Sequence, residues 1–359
     1  MGAAPRVSGP LVTASSPQIV RDLLAVSEPR RAAIERLAAE FVPGRLVALS
    51  THVNSDGDGC GSEVALARIL IARGLRVRIV NPTPWPEMFR FLLDDDIDER
   101  SAEGARALKG IDLLVVLDIS DVKRLGQLTD AVRALTVPKL VIDHHLASDE
   151  PPGKVMLSDT AACATGELVF DLAHVLDARM TEPVARALYA AILTDTGGFR
   201  FSNTSPRCHA IAGQLLAAGI EPEDMYRRVY ASVPVGKLEL LREALATLEV
   251  DPVYGLSWIS VPAGAMERFG VRSEDLDGIV EHPRSIAGTR LALFFRDLGH
   301  GKVKVSFRST GDVDVNALAR GFGGGGHAKA AGALVAGSLD VVRDTVVEAA
   351  RRYLAALGD

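Results

Sequence analysis

Short apolar runs recur through the first two thirds of the chain, at Leu46–Ser50, Arg76–Val80, Leu113–Leu117 and Leu140–Ile142. Their length and their β-branched and leucine content predict strands, and several lack polar alternation, which predicts strands covered on both faces. Segments with helical spacing lie between them. Gly61–Arg73 is stopped by Gly74, and Val122–Leu135 ends before Pro138. Strand and helix in alternation, joined by right-handed crossovers, predict an α/β fold with a mostly parallel sheet. Residues 1–16, rich in Ala, Ser, Gly and Pro, read as a loose tail.

The pattern changes near residue 215. Helical stretches at Ile211–Ala218 and Val235–Leu248 lead into Gly255–Val261, Arg290–Arg296 and Lys302–Ser309, which read as alternating strands. We therefore expect a first domain over 17–215, a helical linker over 216–244 and a smaller α/β domain over 245–359.

The ends of the apolar runs carry the chemistry. After Leu46–Ser50 the chain reads Thr51-His52-Val53-Asn54-Ser55-Asp56-Gly57-Asp58, after Leu113–Leu117 it reads Asp118-Ile119-Ser120-Asp121, and after Leu140–Ile142 it reads Asp143-His144-His145. Ligands of open parallel sheets bind beyond the carboxyl ends of the strands, so these groups converge on one crevice. Asp195, after a helix-like stretch, can close the set. Taken singly, an acid after a strand reads as a helix cap, and Gly57, Gly59 and Gly61 read as a tight turn. Taken together, the repeated pattern favours a metal centre.

Converging carboxylates repel one another unless a cation is present. Asp56, Asp58, Asp118 and Asp195 match the charge of two divalent ions, with His52 and His144 as neutral ligands. Oxygen and imidazole donors without thiolate favour Mn²⁺ or a similar ion over structural zinc. Two such ions can clamp a phosphoryl group and lower the pKa of a bridging water, which points to phosphoester hydrolysis.

Composition narrows the substrate. The chain has 359 residues, 48% of them hydrophobic, and a formal net charge of -6, so its surface is not built to coat a nucleic-acid backbone. Aromatic residues make up 5%, which offers little stacking platform for long single strands. The three cysteines, Cys60, Cys163 and Cys208, form no CxxC pair and no disulfide framework, as in a reducing compartment. With no apolar run of membrane-spanning length and no signal-peptide pattern at the amino terminus, the chain reads as soluble and cytoplasmic.

The motif order His52-Val-Asn-Ser-Asp56-Gly-Asp58, Asp118, Asp143-His144-His145 and Asp195 resembles the four motifs of DHH phosphoesterases. Phe322-Gly323-Gly324-Gly325-Gly326-His327-Ala328-Lys329-Ala330-Ala331-Gly332 resembles the glycine-rich motif of the DHHA1 domain, and the short two-domain layout is similar to the nanoRNase and pAp phosphatase subgroup. The chain departs from the family pattern at Ser55 and Gly59, neither of which supplies a ligand. The resemblance implies a DHH catalytic domain followed by a DHHA1 substrate-binding domain, with the catalytic cleft between them. It implies one Mn²⁺ on His52, Asp56 and Asp118 and a second on Asp58, Asp118, His144 and Asp195, with Asp118 bridging. His145 would stand near the scissile phosphate, and Asp143 would orient a neighbouring histidine.

Four consecutive glycines let the backbone approach a ligand closely and offer amides to an anion. The small residues Ala328–Ala333 that follow read as a packed junction between loop and helix. The resemblance adds Arg308, Gly323, Gly324, Gly325, Gly326 and His327 as contacts to the terminal nucleotide. The expected substrates are short RNA, linear dinucleotides such as pApA, and 3'-phosphoadenosine 5'-phosphate; long DNA and membranes are not expected partners, and a homodimer is a family-level expectation. Cyclic di-AMP hydrolysis is the neighbouring alternative, a family II pyrophosphatase is disfavoured by the glycine-histidine ending, and a non-catalytic nucleotide-binding module is the alternative from a different class.

Overall fold

The computed structural model describes residues 16–272, 276, 278–326 and 328–357. The expectation for the tail therefore lies outside the described residues, except that Ser16 already opens a helix. The chain divides into two compact units between Ser232 and Val233.

The first unit carries six parallel strands: β1 (Leu46–Ser50), β2 (Arg76–Ile79), β3 (Asp98–Glu99), β4 (Leu113–Leu117), β5 (Lys139–Asp143) and β6 (Val155–Ser158). Their order in space is β3-β2-β1-β4-β5-β6. From β1 the chain winds outward to β3, returns to the centre at β4, and winds outward the other way to β6. The reversal leaves a crevice between β1 and β4, the place where open α/β sheets bind ligands. The pairing Leu49↔Val115 and Ser50↔Val116 brings the carboxyl ends of these two strands side by side.

Among the described residues, eight α-helices belong to this unit: α1 (Ser16–Leu24), α2 (Glu28–Ala38), α3 (Gly57–Ala72), α4 (Thr129–Ala134), α5 (Thr165–Val175), α6 (Glu182–Asp195), α7 (Pro206–Ala217) and α8 (Pro222–Tyr230). Successive strand residues face opposite layers. Val47, Leu49, Val115, Leu117, Leu140 and Ile142 pack with α2, α3, α5 and α6, while Ala48, Leu114 and Val116 pack with Ile119, Val122, Leu125 and Leu128 on the other face. Burying both faces explains strands without polar alternation. The single helix expected over Val122–Leu135 is instead a 3-10 segment at Val122–Leu128 followed by α4, because Gly126 adopts a φ of 49° and breaks the helical path.

The second unit has a mixed sheet in the order β11-β12-β10-β9-β8-β7. Its strands are β7 (Glu249–Asp251), β8 (Leu256–Val261), β9 (Leu291–Asp297), β10 (Lys302–Ser309), β11 (Gly325–Gly326) and β12 (Ala330–Ala336), with α9 (Val235–Ala246), α10 (Ala265–Phe269), α11 (Glu281–Arg284), α12 (Val315–Arg320) and α13 (Leu339–Ala356) around them. Leu293, Phe295, Val303, Val305 and Phe307 meet α12 and α13, and Ala292, Phe294 and Ile259 meet α9 and α10. The small residues after the glycine run do not open a helix. They form β12, whose Ala331 and Ala333 alternate into the core against β10.

Candidate metal centre

The site starts where β1 ends. The Thr51 amide donates to Asn81 Oδ1 at 2.9 Å, and Asn81 donates from Nδ2 to the buried Glu63 at 2.8 Å, which fixes the chain just before His52. His52 Nδ1 lies 2.9 Å from the Val53 carbonyl oxygen. A carbonyl only accepts, so Nδ1 carries a proton, and giving up the other proton in favour of a cation would leave the lone pair on Nε2. Asp56 caps α3, its Oδ1 accepting from the amides of Asp58 and Gly59 at 3.1 Å each, while Oδ2 stays 3.7 Å from His52 Nε2. The ordinary reading of Asp56 as a helix cap thus holds for one of its oxygens.

Asp58, the second residue of α3, is buried against the start of α5. Its Oδ2 accepts from the Thr165 amide at 2.7 Å, and its Oδ1 accepts from the Gly166 amide at 2.9 Å and the Ser62 hydroxyl at 3.1 Å. The amino-terminal end of a helix carries partial positive charge and favours a carboxylate there. Asp118 follows β4 with a φ of 63°, a left-handed conformation that few residues other than glycine adopt. Its Oδ2 lies 3.3 Å from His52 Nε2, whereas its Oδ1 lies 3.7 Å from His144 Nε2 and 3.6 Å from His145 Nδ1.

Asp143 ends β5 fully buried. Ser120 donates its hydroxyl to Oδ2, and the other oxygen takes the His145 amide at 3.2 Å and His145 Nδ1 at 2.8 Å. His144 turns its Nδ1 to the Ala162 carbonyl at 3.2 Å and its Nε2 to Asp58, Asp118 and Asp195, at 3.7 Å from an oxygen of each. Asp195 is the last residue of α6, and Asn203 Nδ2 donates to its Oδ2 and its carbonyl, each at 3.1 Å, and to the Cys163 carbonyl at 2.8 Å.

The glycines after His52 are helical rather than left-handed, so a turn is not their reason. A Cβ on Gly57 would stand 2.4 Å from Thr194, one on Gly61 would stand 2.3 Å from the Ala187 carbonyl oxygen, and one on Gly166 would stand 2.6 Å from Ala191 Cβ. Glycine at these points lets α6 lie against α3 and α5 and carries Asp195 to the other acids.

The donor atoms gather as His52, Asp56 and Asp118, as Asp58, His144 and Asp195, and as Asp118, His144 and His145, each group lying within 4.8 Å. Burial, then the charges of Asp118, Asp195 and Asp56, hold the Asp58 carboxyl well above the usual carboxylate range. Burial and the neighbouring acids, partly offset by His144, push Asp195 up to about 6. Burial lowers His52, but Asp118 and Asp56 outweigh it and push the ring up to about 10. In Asp56 the order reverses: burial raises the carboxyl, yet the His52 contact brings it below its ordinary value. Protons thus relieve the repulsion when no cation does. His52 Nε2 and His144 Nε2 are buried without hydrogen-bond partners and face the oxygens of Asp118 and Asp58. A divalent cation satisfies both sides, and the oxygen and imidazole donors fit an ion of the Mg²⁺ or Mn²⁺ kind.

The residues expected to bind substrate lie in the second unit. Arg308 on β10 donates to the Phe307 carbonyl at 3.1 Å, keeps its Nε 3.7 Å from Glu281, and lines a small pocket with Lys304, Ser306 and Arg296. Gly323 and Gly324 donate their amides to the Arg320 and Ala319 carbonyls at 3.1 and 2.9 Å, and Gly326 donates to Asn316 Oδ1 at 3.0 Å. A Cβ on Gly324 would stand 2.1 Å from the Gly332 carbonyl oxygen, so β12 itself demands glycine there. Gly325 pairs with Gly332. His327 lies outside the described residues. Thr165, Ser120 and Asn203 carry no motif signal in the sequence.

The description "DHH family, N-terminal domain" matches residues 46–192 and "DHHA1 domain" matches residues 259–356. A bifunctional oligoribonuclease and PAP phosphatase NrnA of Thermus thermophilus is 33% identical over 337 residues, covering 92% of this chain and 98% of that protein. The protein of the same description from Bacillus subtilis is 29% identical, over 80% of this chain and 89% of its own length. An exopolyphosphatase-related protein from Bacteroides fragilis has a crystal structure that superposes with a TM-score of 0.84 at 27% identity, over 92% of this chain and 98% of that one. Motif order, strand-end geometry and these likenesses agree: the chain belongs to the DHH family, in the form that carries a DHHA1 domain after the DHH domain.

Proposed function

We propose that this protein is a cation-dependent phosphoesterase acting on short oligoribonucleotides, linear dinucleotides such as pApA, and 3'-phosphoadenosine 5'-phosphate. The observation that carries the reading is the pair of buried, unpartnered imidazole nitrogens, His52 Nε2 and His144 Nε2, aimed at carboxylates beyond β1 and β4 and at the end of α6. The relatives' description as oligoribonuclease and PAP phosphatase, over 80% to 92% of this chain, supports the substrate class.

His52, Asp56 and Asp118 would hold one Mn²⁺, and Asp58, Asp118, His144 and Asp195 the other. Bound there, the two cations supply an acidified water and neutralise charge on the phosphoryl oxygens. The protein's own groups then position and protonate. Asp143, held low by His145 and Ser120 against the effect of burial, is a carboxylate at neutral pH. It grips His145 Nδ1, and this bond, against burial, raises the His145 ring above its ordinary value. A protonated His145 keeps Nε2–H available for a phosphoryl oxygen or a departing hydroxylate. Arg308 and His327 would hold the terminal phosphate and base in the DHHA1 domain; the Gly323, Gly324 and Gly326 amides already donate within the protein, so Gly323–Gly326 would serve by letting the backbone come close rather than by offering those amides.

A substrate panel tests this: pAp, a 5'-labelled diribonucleotide, longer RNA, cyclic di-AMP and pyrophosphate, each with Mn²⁺. Preferential hydrolysis of the diribonucleotide or pAp is the expected outcome. Cleavage of cyclic di-AMP or pyrophosphate alone would replace the substrate assignment, and nucleotide binding without turnover of any of them would replace the enzyme with a binding module.

A further inference from the structure

We propose that Thr165 is a positioning residue that sets the rotation of the Asp118 carboxylate, so that one acid serves both donor clusters; the inference rests on the metal reading above. Thr165 is fully buried at the first position of α5 and touches one acid of each cluster. Its backbone amide donates to Asp58 Oδ2 at 2.7 Å, and its hydroxyl donates to Asp118 Oδ1 at 3.0 Å. In the second bond the hydroxyl is the donor and the carboxylate oxygen the acceptor.

The backbone of Asp118 is already fixed. Its amide donates to the Ile142 carbonyl at 2.9 Å, and its left-handed φ points the side chain into the crevice between β4 and β1. That leaves the torsion at the carboxylate, which has a broad profile with two-fold symmetry and no strong preference of its own. His52 approaches Oδ2, while His144 and His145 approach Oδ1. Each is an imidazole that would turn towards a cation, so the histidines do not fix the carboxylate plane. The Thr165 hydroxyl, held by a helix whose first amides are pinned on Asp58, does fix it. With Oδ1 held on the side of Asp58, His144 and Asp195, Oδ2 is left for His52 and Asp56.

Removing the hydroxyl frees Oδ1 to leave its side of the crevice, and the Asp58, His144 and Asp195 cluster loses its share of the Asp118 charge. Loss of an outer partner that orients a metal ligand costs about 10- to 100-fold in metal affinity. The experiment is calorimetric titration of the chelator-stripped full chain with Mn²⁺, comparing wild type, Thr165→Val, Thr165→Ser and, as a reference for the second cluster, Asp195→Asn. The expected result is two binding steps in wild type, with the step lost in Asp195→Asn weakened about 10- to 100-fold in Thr165→Val and restored by Thr165→Ser. Melting of the stripped proteins checks the fold. If the valine variant does not fold, Thr165→Ala removes the same hydroxyl without a branched side chain and is read identically. Two wild-type steps in the folded variant, equal weakening of both steps, or no rescue by serine would overturn the proposal. A folded wild type with no Mn²⁺ binding would instead overturn the metal reading on which it stands.

Discussion

Asp195→Asn is expected to stabilise the first unit when cations are chelated and to leave it less stable than wild type when Mn²⁺ is present. Burial and nearby acids raise the Asp195 carboxyl from 3.8 to about 6. Such a change penalises the ionised form by about 3 kcal/mol at neutral pH. The side chain is 29% exposed, and solvent screening reduces our figure to about 2 kcal/mol. The sign follows from the direction of the change. Below its ordinary value the carboxyl is protonated in both the folded and unfolded chain and costs nothing; as pH rises through about 6 the folded state must ionise it and the full penalty appears. The variant should therefore melt about 4–8 °C above wild type near pH 8 in chelator and with little difference near pH 4, for a unit of this size. Asparagine keeps an oxygen for the Asn203 contact, so the comparison isolates the charge. Excess Mn²⁺ at about 100 times its dissociation constant stabilises wild type by about 2.7 kcal/mol, which the variant largely forgoes. Thermal melts followed by circular dichroism at both pH values, with chelator and with Mn²⁺, read all of this. A variant less stable than wild type in chelator near pH 8, or a difference that does not depend on pH, would refute the reasoning.

Two further outcomes follow from packing and burial. Gly61→Ala places a Cβ 2.3 Å from the Ala187 carbonyl oxygen; relieving that overlap moves α6 and with it Asp195, for a cost of about 1–3 kcal/mol in stability and at least about tenfold in kcat, and an unchanged melt and rate would show that the helices are not in tight contact. Glu63 is fully buried, and burial pushes its carboxyl up to about 8. Its protonated form therefore supports the fold below its ordinary value, and that support is lost as pH rises through about 8. Glu63→Gln, which retains an acceptor for Asn81, should match wild type in acid and exceed it by several kcal/mol above that point, at about 1.4 kcal/mol per pH unit of separation; equal alkaline denaturation of the two proteins would contradict this.

The parallel sheet was legible because burial on both faces writes itself into the chain as runs such as Leu113–Leu117, and the acids and histidines were legible because they stop those runs. What the sequence did not disclose was local glycine geometry and long-range contact. Gly126 ends a helix that apolar spacing continues to Leu135, and Ala331 and Ala333 carry too little side chain to announce a strand. Thr165 meets Asp58 across 107 residues of chain, and Asn203 meets Cys163 across 40. No spacing rule reaches that far. The reasons for Gly57, Gly61 and Gly166 likewise lie in another helix, α6, and not in their own turn of chain.

The central claim, that the clusters beyond β1, β4 and β5 hold cations that drive phosphoester hydrolysis, is tested most directly by one titration. Chelator-stripped protein is supplied with increasing Mn²⁺ and release of mononucleotide from a labelled diribonucleotide is followed, with Asp118→Ala in parallel. The expected result is no hydrolysis without the ion, saturable recovery with it in wild type, and none at any concentration in the folded Asp118→Ala protein. Hydrolysis that survives chelation, or recovery in Asp118→Ala equal to wild type, would contradict the claim.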